Sequence, residues 1–295
     1  MAEQLYNAIF VGSIYALFAV GFALVFSVLD ILNLAHPVVF MLGAFVALFF
    51  MSTFGAPAAL AAVAAFAVTG VFGIFLDRVA FAPLRRRGAP PLSAMISSLG
   101  FAIVVIRLME LRYGPDLVSY PAGSLPQAIL QIGDARLDGL RLLIIGLAII
   151  LMAALTYVVR VTQLGRDIRA LAENPRAARL LGVDVDRAIA ATFFISSGLG
   201  GVAGALLGFA YNAIYPQMGT PYELKAFTVM VVGGMGSLPG AVLGAYILGI
   251  GEIAALVFLP AEFAELRDAL AFGLLFLVLV IRPRGLLGHR VADRA

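Results

Sequence analysis

Cysteine is absent from this chain of 295 residues, and lysine occurs once, at Lys225. Without cysteine the chain has neither disulfides nor a thiolate metal site. The two histidines, His36 and His289, lie far apart in sequence, which argues against a histidine metal cluster. Because the single lysine stands in no GxxxxGK[ST] pattern, a Walker A motif is excluded. GxSxG and HExxH patterns are absent too, so we predict no catalytic residue, no metal site and no cofactor in this chain.

Charge is also scarce, at 13% of the residues, whereas 62% are hydrophobic and the mean hydropathy is +1.04. Apolar runs of roughly 18 or more residues recur, which is the length that crosses a bilayer as a helix. The sequence therefore predicts an all-α, polytopic integral membrane protein with one membrane domain over residues 1–295. No Lys or Arg precedes the first run, unlike in a signal peptide, so we expect it to remain as a helix. Membrane topology, rather than nucleic-acid binding, explains the pI of 9.4.

Eight spans and one shorter apolar piece give about eight or nine predicted membrane segments. The spans lie at about residues 6–29, 36–54, 57–80, 92–110, 140–160, 188–212, 239–258 and 265–282. The shorter piece lies at about residues 224–236 and runs into the sequence GGMGSLPG, which interrupts the apolar run.

The arginines in the loops predict the orientation of the chain. With the N-terminus outside and the shorter piece counted as a crossing, 14 of the 20 basic residues become cytoplasmic. These are Arg78, Arg85, Arg86, Arg87, Arg160, Arg166, Arg169, Arg176, Arg179, Arg187, Arg282, Arg284, Arg290 and Arg294. Those left at the outside or at outer helix ends are Arg107, Arg112, Arg136, Arg141, Lys225 and Arg267. The split predicts a cytoplasmic C-terminus, a cytoplasmic segment at residues 161–187 and an extracytoplasmic loop at residues 111–139.

Residues 161–187, hereafter the charged segment, combine arginines with helix-capping residues between two apolar spans. The arginines are Arg166, Arg169, Arg176, Arg179 and Arg187. Asn174 suits a helix N-cap, Pro175 the first helical position and Gly182 the helix end. Leu180 and Leu181 add a small apolar surface beside the arginines. A solvated loop is the alternative, but a passive connector needs no capped helix, so we favour a docking element.

Two stretches interrupt the apolar runs. Residues 30–37 combine an acid, the amide of Asn33 and the imidazole of His36 with a helix breaker, Pro37. This stretch either lines a cavity at depth in the membrane or forms a tight cytoplasmic turn, and the two alternatives are equally supported. Residues 233–240 suit a half-helix end or a re-entrant turn, whose free N–H groups can hold carboxylates.

A weak internal echo links the two interruptions. The string MLGAF at residues 41–45 resembles VLGAY at residues 242–246, and Pro37 and Pro239 precede them. Interrupted helices at corresponding places in two halves point to a transport site. Similar strings are also common in membrane helices rich in glycine and alanine, so both interpretations stay open.

Small and charged residues inside the spans predict helix packing. Gly200, Gly204 and Gly208 form a GxxxGxxxG stripe that lets another backbone approach closely, within the subunit or against a partner. Arg107 and Glu110, three residues apart, are expected to pair on one helix face. Another acid, at position 252, lies within a predicted span and suits a buried polar contact near a path.

Four stretches resemble permeases of the branched-chain amino acid ABC importer family, in the same order and over nearly the whole chain. They are VLDILNLAHPVVFMLGAFVA at residues 28–47, GRDIRALAENPRAARLLGVDVDRAIAATFFISSGLGGVAGALLG at 165–208, VVGGMGSLPGAVLGAYILG at 231–249 and IRPRGLLG at 281–288. The length and the first stretch are closer to the LivH type than to the LivM type. Pro37 is a departure, because the family usually has glycine there.

The resemblance implies a permease subunit of an ATP-driven importer in the bacterial cytoplasmic (inner) membrane. Its implied partners are a second permease, identical or homologous, two cytoplasmic ATPase subunits that bind ATP and Mg, and a periplasmic or extracellular solute-binding protein. No nucleic acid is implied, and the chain contacts membrane lipid.

The resemblance also implies roles for particular residues. The charged segment would couple to the ATPase through Gly165, Arg166, Arg169, Asn174, Arg176, Arg179, Leu181 and Gly182. The translocation pathway would include Asn33, His36, Pro37, Ser237 and Pro239.

Branched-chain or related amino acids are the expected substrates, because the family carries them. The family also moves urea, short amides and other small solutes, which is one alternative. A stand-alone ion- or proton-coupled transporter or channel is another, although the few acids inside the spans argue against it. An assembly scaffold without solute flux is a third.

Overall fold

The computed structural model describes residues 2–125, 129–132, 135–258, 267–282 and 285–288. These residues are predominantly helical, as predicted, because a backbone inside a bilayer must satisfy its hydrogen bonds within each helix. The helices are α1 (Ala2–Leu29), α2 (His36–Phe54), α3 (Ala58–Leu76), α4 (Ala82–Arg86), α5 (Pro91–Tyr113), α6 (Gly139–Val161), α7 (Gln163–Glu173), α8 (Pro175–Leu180), α9 (Val185–Tyr211), α10 (Thr220–Gly233), α11 (Leu238–Phe258) and α12 (Arg267–Ile281).

Seven helical stretches among the described residues are long and apolar enough to cross a membrane. They are Glu3–Leu29, His36–Phe54, Ala58–Arg86, Pro91–Tyr113, Gly139–Val161, Val185–Tyr211 and Leu238–Phe258. They match the first seven predicted spans within a few residues, except that the third continues through a π-helical turn (Asp77–Phe81) into α4. The polytopic helical class is therefore confirmed.

The remaining predicted segments are shorter. The apolar piece at 224–236 corresponds to α10, which has 14 residues, and the predicted eighth span corresponds to α12, with 15. Residues 265 and 266 of that span lie outside the described residues. The same holds for His289, Arg284, Arg290 and Arg294.

A small antiparallel hairpin, which the sequence did not predict, lies in the loop between α5 and α6. Its strands are β1 (Ile129–Ile132) and β2 (Ala135–Asp138), with Ile129 opposite Asp138. It falls within the predicted outer loop at residues 111–139, of which residues 126–128 and 133–134 lie outside the described residues.

Helices α1 and α9 are the core of the bundle. In the most apolar 18-residue stretch of each helix, the buried share is 83% in α1 and 78% in α9. In α5 and in α6 it is only 22%. Since α5 and α6 are as apolar as the core helices but mostly exposed, they present the surface expected to contact lipid.

The glycine stripe of α9 packs within this subunit. A Cβ atom on Gly204 would lie 1.8 Å from the carbonyl oxygen of Phe40 in α2. Gly200 lies against the His36 ring, and Gly208 faces Tyr120 in the loop between α5 and α6. Small residues at this spacing thus let the α2 and α9 backbones come into contact.

Candidate functional site

Helix α2 begins inside the bundle, and the residue before α10, Gly219, packs against it, although Thr220 and Pro221 at the start of α10 are exposed. The ring of His36, the first residue of α2, packs on Phe18 with ring centroids 4.7 Å apart. Phe18 lies about 16 Å along α1 from its end at Leu29. A Cβ on Gly219, just before α10, would lie 2.1 Å from the carbonyl oxygen of Pro37. The two N-termini therefore meet at depth, which favours the deep alternative for residues 30–37 over a tight surface turn.

Asn33 and His36 are buried at this meeting point, with exposed fractions of 1% and 0%. Asn33 Oδ1 accepts the backbone N–H of Ala35 at 3.1 Å, and His36 Nε2 lies 3.2 Å from the carbonyl oxygen of Phe18. Among the described residues, Asn33 Nδ2 and His36 Nδ1 have no hydrogen-bond partner. Pro37 occupies the first turn of α2, where its missing N–H costs no helical hydrogen bond.

A row of aromatic rings leads from His36 to α10. Phe18 packs on His36 and, at 5.0 Å between centroids, on Phe40. Phe40 stacks on Tyr222 at 5.0 Å, and Tyr222 meets Tyr15 edge-on at 5.8 Å. Rings at these separations attract one another beyond simple area burial. The row provides a firm apolar surface beside polar groups, which suits a ligand with one apolar and one polar part.

A buried ion pair lies at the far end of this row. Lys225 Nζ is 2.9 Å from Glu252 Oε1 and donates a hydrogen bond of 2.9 Å to Tyr15 Oη. Tyr15 Oη in turn donates to Glu252 Oε2 at 2.7 Å. Lys225 is 7% exposed and Glu252 is 1% exposed. An ion pair and two hydrogen bonds thus link α10, α11 and α1.

The sequence did not indicate this pair: Lys225 was assigned to the outside or to an outer helix end, and its burial against Glu252 was not foreseen. The loop count treats each cation as exposed, whereas the partner Glu252 allows Lys225 to be buried. The available signal was a lone lysine within an apolar stretch together with an acid within a predicted span.

Ser237 and Pro239 lie at a different level of the bundle from His36. The turn between α10 and α11 is beside the last turn of α1, where a Cβ on Gly236 would be 3.9 Å from the Ser27 Cβ. Ser237 Oγ accepts a backbone N–H of the first turn of α11 at 3.2 Å, which caps that helix. The structure therefore separates these two predicted pathway residues from Asn33 and His36.

The end of α10 also receives a C-terminal segment of the chain. Leu286 and Leu287 donate backbone hydrogen bonds of 2.9 Å to the carbonyls of Val232 and Gly233. A Cβ on Gly285 would lie 2.5 Å from another α10 carbonyl oxygen, so this close approach requires glycine. The segment satisfies carbonyl groups that a helix end leaves open.

The charged segment forms two helices, α7 and α8, where the sequence analysis expected one. As predicted, Asn174 caps α8, and its Oδ1 accepts the N–H groups of Arg176 and Ala177 at 3.0 Å each. Gly182 follows α8 with a φ of 87°, a left-handed conformation that glycine adopts without strain. The preceding helix α7 was missed, although Thr162 caps it by accepting the N–H of Gly165 at 3.1 Å.

The residues of the charged segment divide into an inner and an outer set. Gly165 is buried against the end of α6, and Arg169, although exposed overall, donates from its guanidinium to the carbonyl of Val159 there. Leu180 and Leu181 are instead 89% and 83% exposed. Arg166, Arg176 and Arg179 are also exposed. The inner set holds the connection to the membrane helices, and the outer set presents apolar and cationic groups to the surroundings.

A second ion-pair network links α4 and the π-helical turn between α3 and α4 to the start of α9. Arg85 Nη1 donates to Asp77 Oδ1 at 2.9 Å, and Asp77 is 1% exposed. Arg85 and Arg86 also approach Asp186 in the first turn of α9, at 3.7 and 3.8 Å. A cavity of about 530 Å³ lies between these residues, the end of α1 and Arg179 of the charged segment.

Also as predicted, Arg107 and Glu110 pair on α5 at 2.5 Å.

Broken helices that meet at depth, buried polar groups and a capped basic segment at one end define a membrane transport protein. The sequence matches, over residues 4–279, the family model described as "Branched-chain amino acid transport system / permease component". The chain therefore belongs to the family of permease components of branched-chain amino acid transport systems.

Individual relatives agree with this assignment. The chain is 36% identical over 306 residues to the high-affinity branched-chain amino acid transport system permease protein BraD of Pseudomonas aeruginosa. It is 35% identical over 303 residues to the corresponding protein LivH of Escherichia coli K12, and both matches cover 99% of this chain and 97% of the relative. A shorter match, 35% over 127 residues, covers 41% of this chain and 32% of the xylose transport system permease protein XylH of Escherichia coli K12. A permease component implies ATPase and solute-binding components as its partners.

Proposed function

We propose that this chain is the membrane permease of an ATP-driven importer and translocates branched-chain amino acids delivered by a solute-binding protein. The similarity to BraD and LivH, which extends over 99% of the chain, carries this proposal. The aromatic row beside buried polar groups supports it, because a branched-chain amino acid has one apolar and one charged part.

We propose that the whole chain is one permease domain in the bacterial inner membrane, with its N-terminus outside, its C-terminus inside and residues 111–139 outside. It pairs with an identical or homologous permease, two ATPases and one binding protein. The chain itself is not an enzyme and holds no cofactor, since ATP and Mg bind to the ATPases.

The charged segment, residues 161–187, is proposed to dock on the ATPase. The exposed arginines support this role, as do Leu180 and Leu181 at the end of α8. Two adjacent leucine side chains left in water are unfavourable unless a partner covers them. Of the coupling residues, Arg176, Arg179 and Leu181 face outward, whereas Gly165 and Arg169 hold the segment against α6. Asn174 and Gly182 fix the ends of α8.

The pathway is proposed to pass Asn33, His36 and Pro37 at depth and Ser237 and Pro239 at the end of the bundle. Helix N-termini carry partial positive charge, so the two that meet near Pro37 favour a substrate carboxylate. Closure of the ATPase pair would then move the helices and open this pathway alternately to each side.

Uptake of labelled leucine into proteoliposomes tests the function, using this chain assembled with its ATPases, companion permease and binding protein. We expect uptake that requires ATP and the binding protein. Uptake driven by an ion gradient with this chain alone would contradict the proposal.

The docking role is tested by Arg179→Ala/Leu181→Ser, which removes the outer charge and apolar contact. The matched control is Arg112→Ala/Leu111→Ser in the last turn of α5, away from the charged segment. Leu111 is 85% exposed there, against 83% for Leu181. Substrate-stimulated ATPase activity is expected to be lost in the first variant and kept in the control. Equal activity in both would rule out docking through this surface.

A further inference from the structure

Burying the charges of Lys225 and Glu252 at this position costs desolvation free energy. Tyr15, which contacts both charges, lies at the midpoint of the 28-residue helix α1, so the pair lies far from both ends of the bundle. Charges at such depth in a membrane mark transport pathways and relays. An apolar pair of similar volume usually gives equal or greater stability than a buried ion pair, so stability does not account for this pair.

We propose that Lys225 and Glu252 recognise the charged backbone groups of a zwitterionic amino acid in transit, which deepens the function proposed above and rests on it. The substrate carboxylate would bind Lys225, and the substrate ammonium would bind Glu252. In this structure Lys225 and Glu252 pair with each other. The two side chains must therefore separate before a substrate can bind between them.

Charge matching makes this exchange physically feasible. A zwitterion carries one positive and one negative group, so it replaces the partner of each side chain as the pair separates. Neither Lys225 nor Glu252 is then left uncompensated in a medium of low dielectric constant, where a lone charge is very costly. A neutral solute or a simple ion offers no such replacement, so the pair would also discriminate between solute classes.

The surroundings of the pair fit the two ends of such a substrate. Lys225 lies in the second turn of α10, whose N-terminus packs against Pro37 of α2 and favours a carboxylate. Lys225 Nζ is 5.2 Å from the centre of the Tyr15 ring and 5.9 Å from that of Tyr222. Tyr222 continues into the stack with Phe40, which offers an apolar face to a branched side chain.

The pair lies between two helices that one short turn connects. The pair joins α10 and α11, which meet in a turn containing Gly234 and Gly236, both at positive φ. Tyr15 belongs to the central helix α1. Separation of the pair therefore coincides with a change in how α10 and α11 pack on the core, which is the motion that a broken-helix transporter uses.

The test removes both charges while keeping shape, in Lys225→Met/Glu252→Gln, where the amide still accepts a hydrogen bond from Tyr15. The matched control is Arg107→Met/Glu110→Gln, which removes the pair on α5, where Arg107 is 72% exposed. Each variant is assembled into the complete importer, and leucine uptake and leucine moved per ATP are measured with saturating loaded binding protein.

We expect the Lys225→Met/Glu252→Gln importer to assemble and to show thermal stability equal to that of the wild type. Its maximal uptake and its leucine-to-ATP ratio should fall by at least about tenfold, as expected for losing contacts to a charged ligand. The control should keep wild-type values for both quantities. Uptake and coupling at the wild-type level in the first variant would overturn the inference while leaving the proposed function intact.

A reversed pair, Lys225→Glu/Glu252→Lys, keeps the ion pair and so addresses the case in which the uncharged variant fails to assemble. It reverses the polarity relative to the α10 N-terminus and the aromatic faces, so we expect uptake to stay low. Full recovery of uptake would mean that the pair is only a helix-to-helix contact. Absence of leucine uptake in the wild-type importer itself would instead refute the proposed function.

Discussion

The contact between α2 and α9 at Gly204 tests how closely the core helices must pack. A methyl carbon at this position would lie 1.8 Å from the Phe40 carbonyl oxygen, whereas ordinary contacts of a Cβ begin at 3.4 Å. The obstructing atom belongs to the backbone, so no side-chain rotation relieves the overlap. The two helices must therefore separate locally by roughly 1.5 Å, which a close-packed interior resists.

Gly204→Ala is therefore expected to destabilise the protein by about 1–3 kcal/mol, the usual cost of overpacking a core. For a chain of this size that corresponds to a decrease in Tm of a few to about 10 °C. The matched control is Gly146→Ala in α6, where an added Cβ meets nothing within 4 Å. The control should be neutral or stabilised by up to about 1 kcal/mol, because alanine favours the helix over glycine.

Thermal unfolding of both variants in the same detergent and at the same heating rate measures the difference, read from the loss of the folded peak in size-exclusion chromatography. Leucine uptake of the assembled importer should fall with Gly204→Ala as well, because Phe40 belongs to the aromatic row. Equal Tm values for the two variants would refute the packing argument, since they differ only in what the new methyl group meets.

Three further changes have expected outcomes. Arg85→Met leaves Asp77 buried without its cation and should cost about 3 kcal/mol of stability, measured as a lower Tm, while Arg85→Lys should lose less. Asn174→Ala removes the cap of α8 and should cost about 1 kcal/mol locally, seen as faster hydrogen exchange in α8 but not in α9. Tyr120→Phe loses the hydrogen bond of 3.0 Å to the Ala44 carbonyl and about 1 kcal/mol. Burial raises the pKa of Tyr120 above its usual value of 10.0, so only the unfolded state ionises near that pH. The advantage of the wild type over Tyr120→Phe should therefore be constant below about pH 10 and shrink above it in pH-dependent unfolding.

Local features of the structure follow from local features of the sequence. Long apolar runs predicted the membrane helices because a bilayer requires every backbone group to bond within its own helix. Asn174 and Gly182 predicted the ends of α8 because capping depends on neighbouring residues alone. The arginine and acid at positions 107 and 110 were likewise found from their spacing, since residues three apart share a helix face.

The sequence was less informative where contacts join distant residues. Whether residues 30–37 lie at depth was left open, because that depends on Phe18 and on Gly219, both remote from them in sequence. Loop counting did not indicate that Lys225 is buried, because topology rules treat every cation as a surface group. Helix α7 was missed because its cap, Thr162, follows directly on the membrane span.

The sequence by itself thus determined a helical membrane protein with a capped basic segment, since apolar length, capping and spacing act over a few residues. Only the tertiary structure decided which buried groups meet. Tyr15 and Glu252 lie 237 positions apart, and no periodicity along the chain links them. Their contact with Lys225 exists because α1, α10 and α11 pack together, and a charge buried in a membrane must find its partner wherever packing brings one.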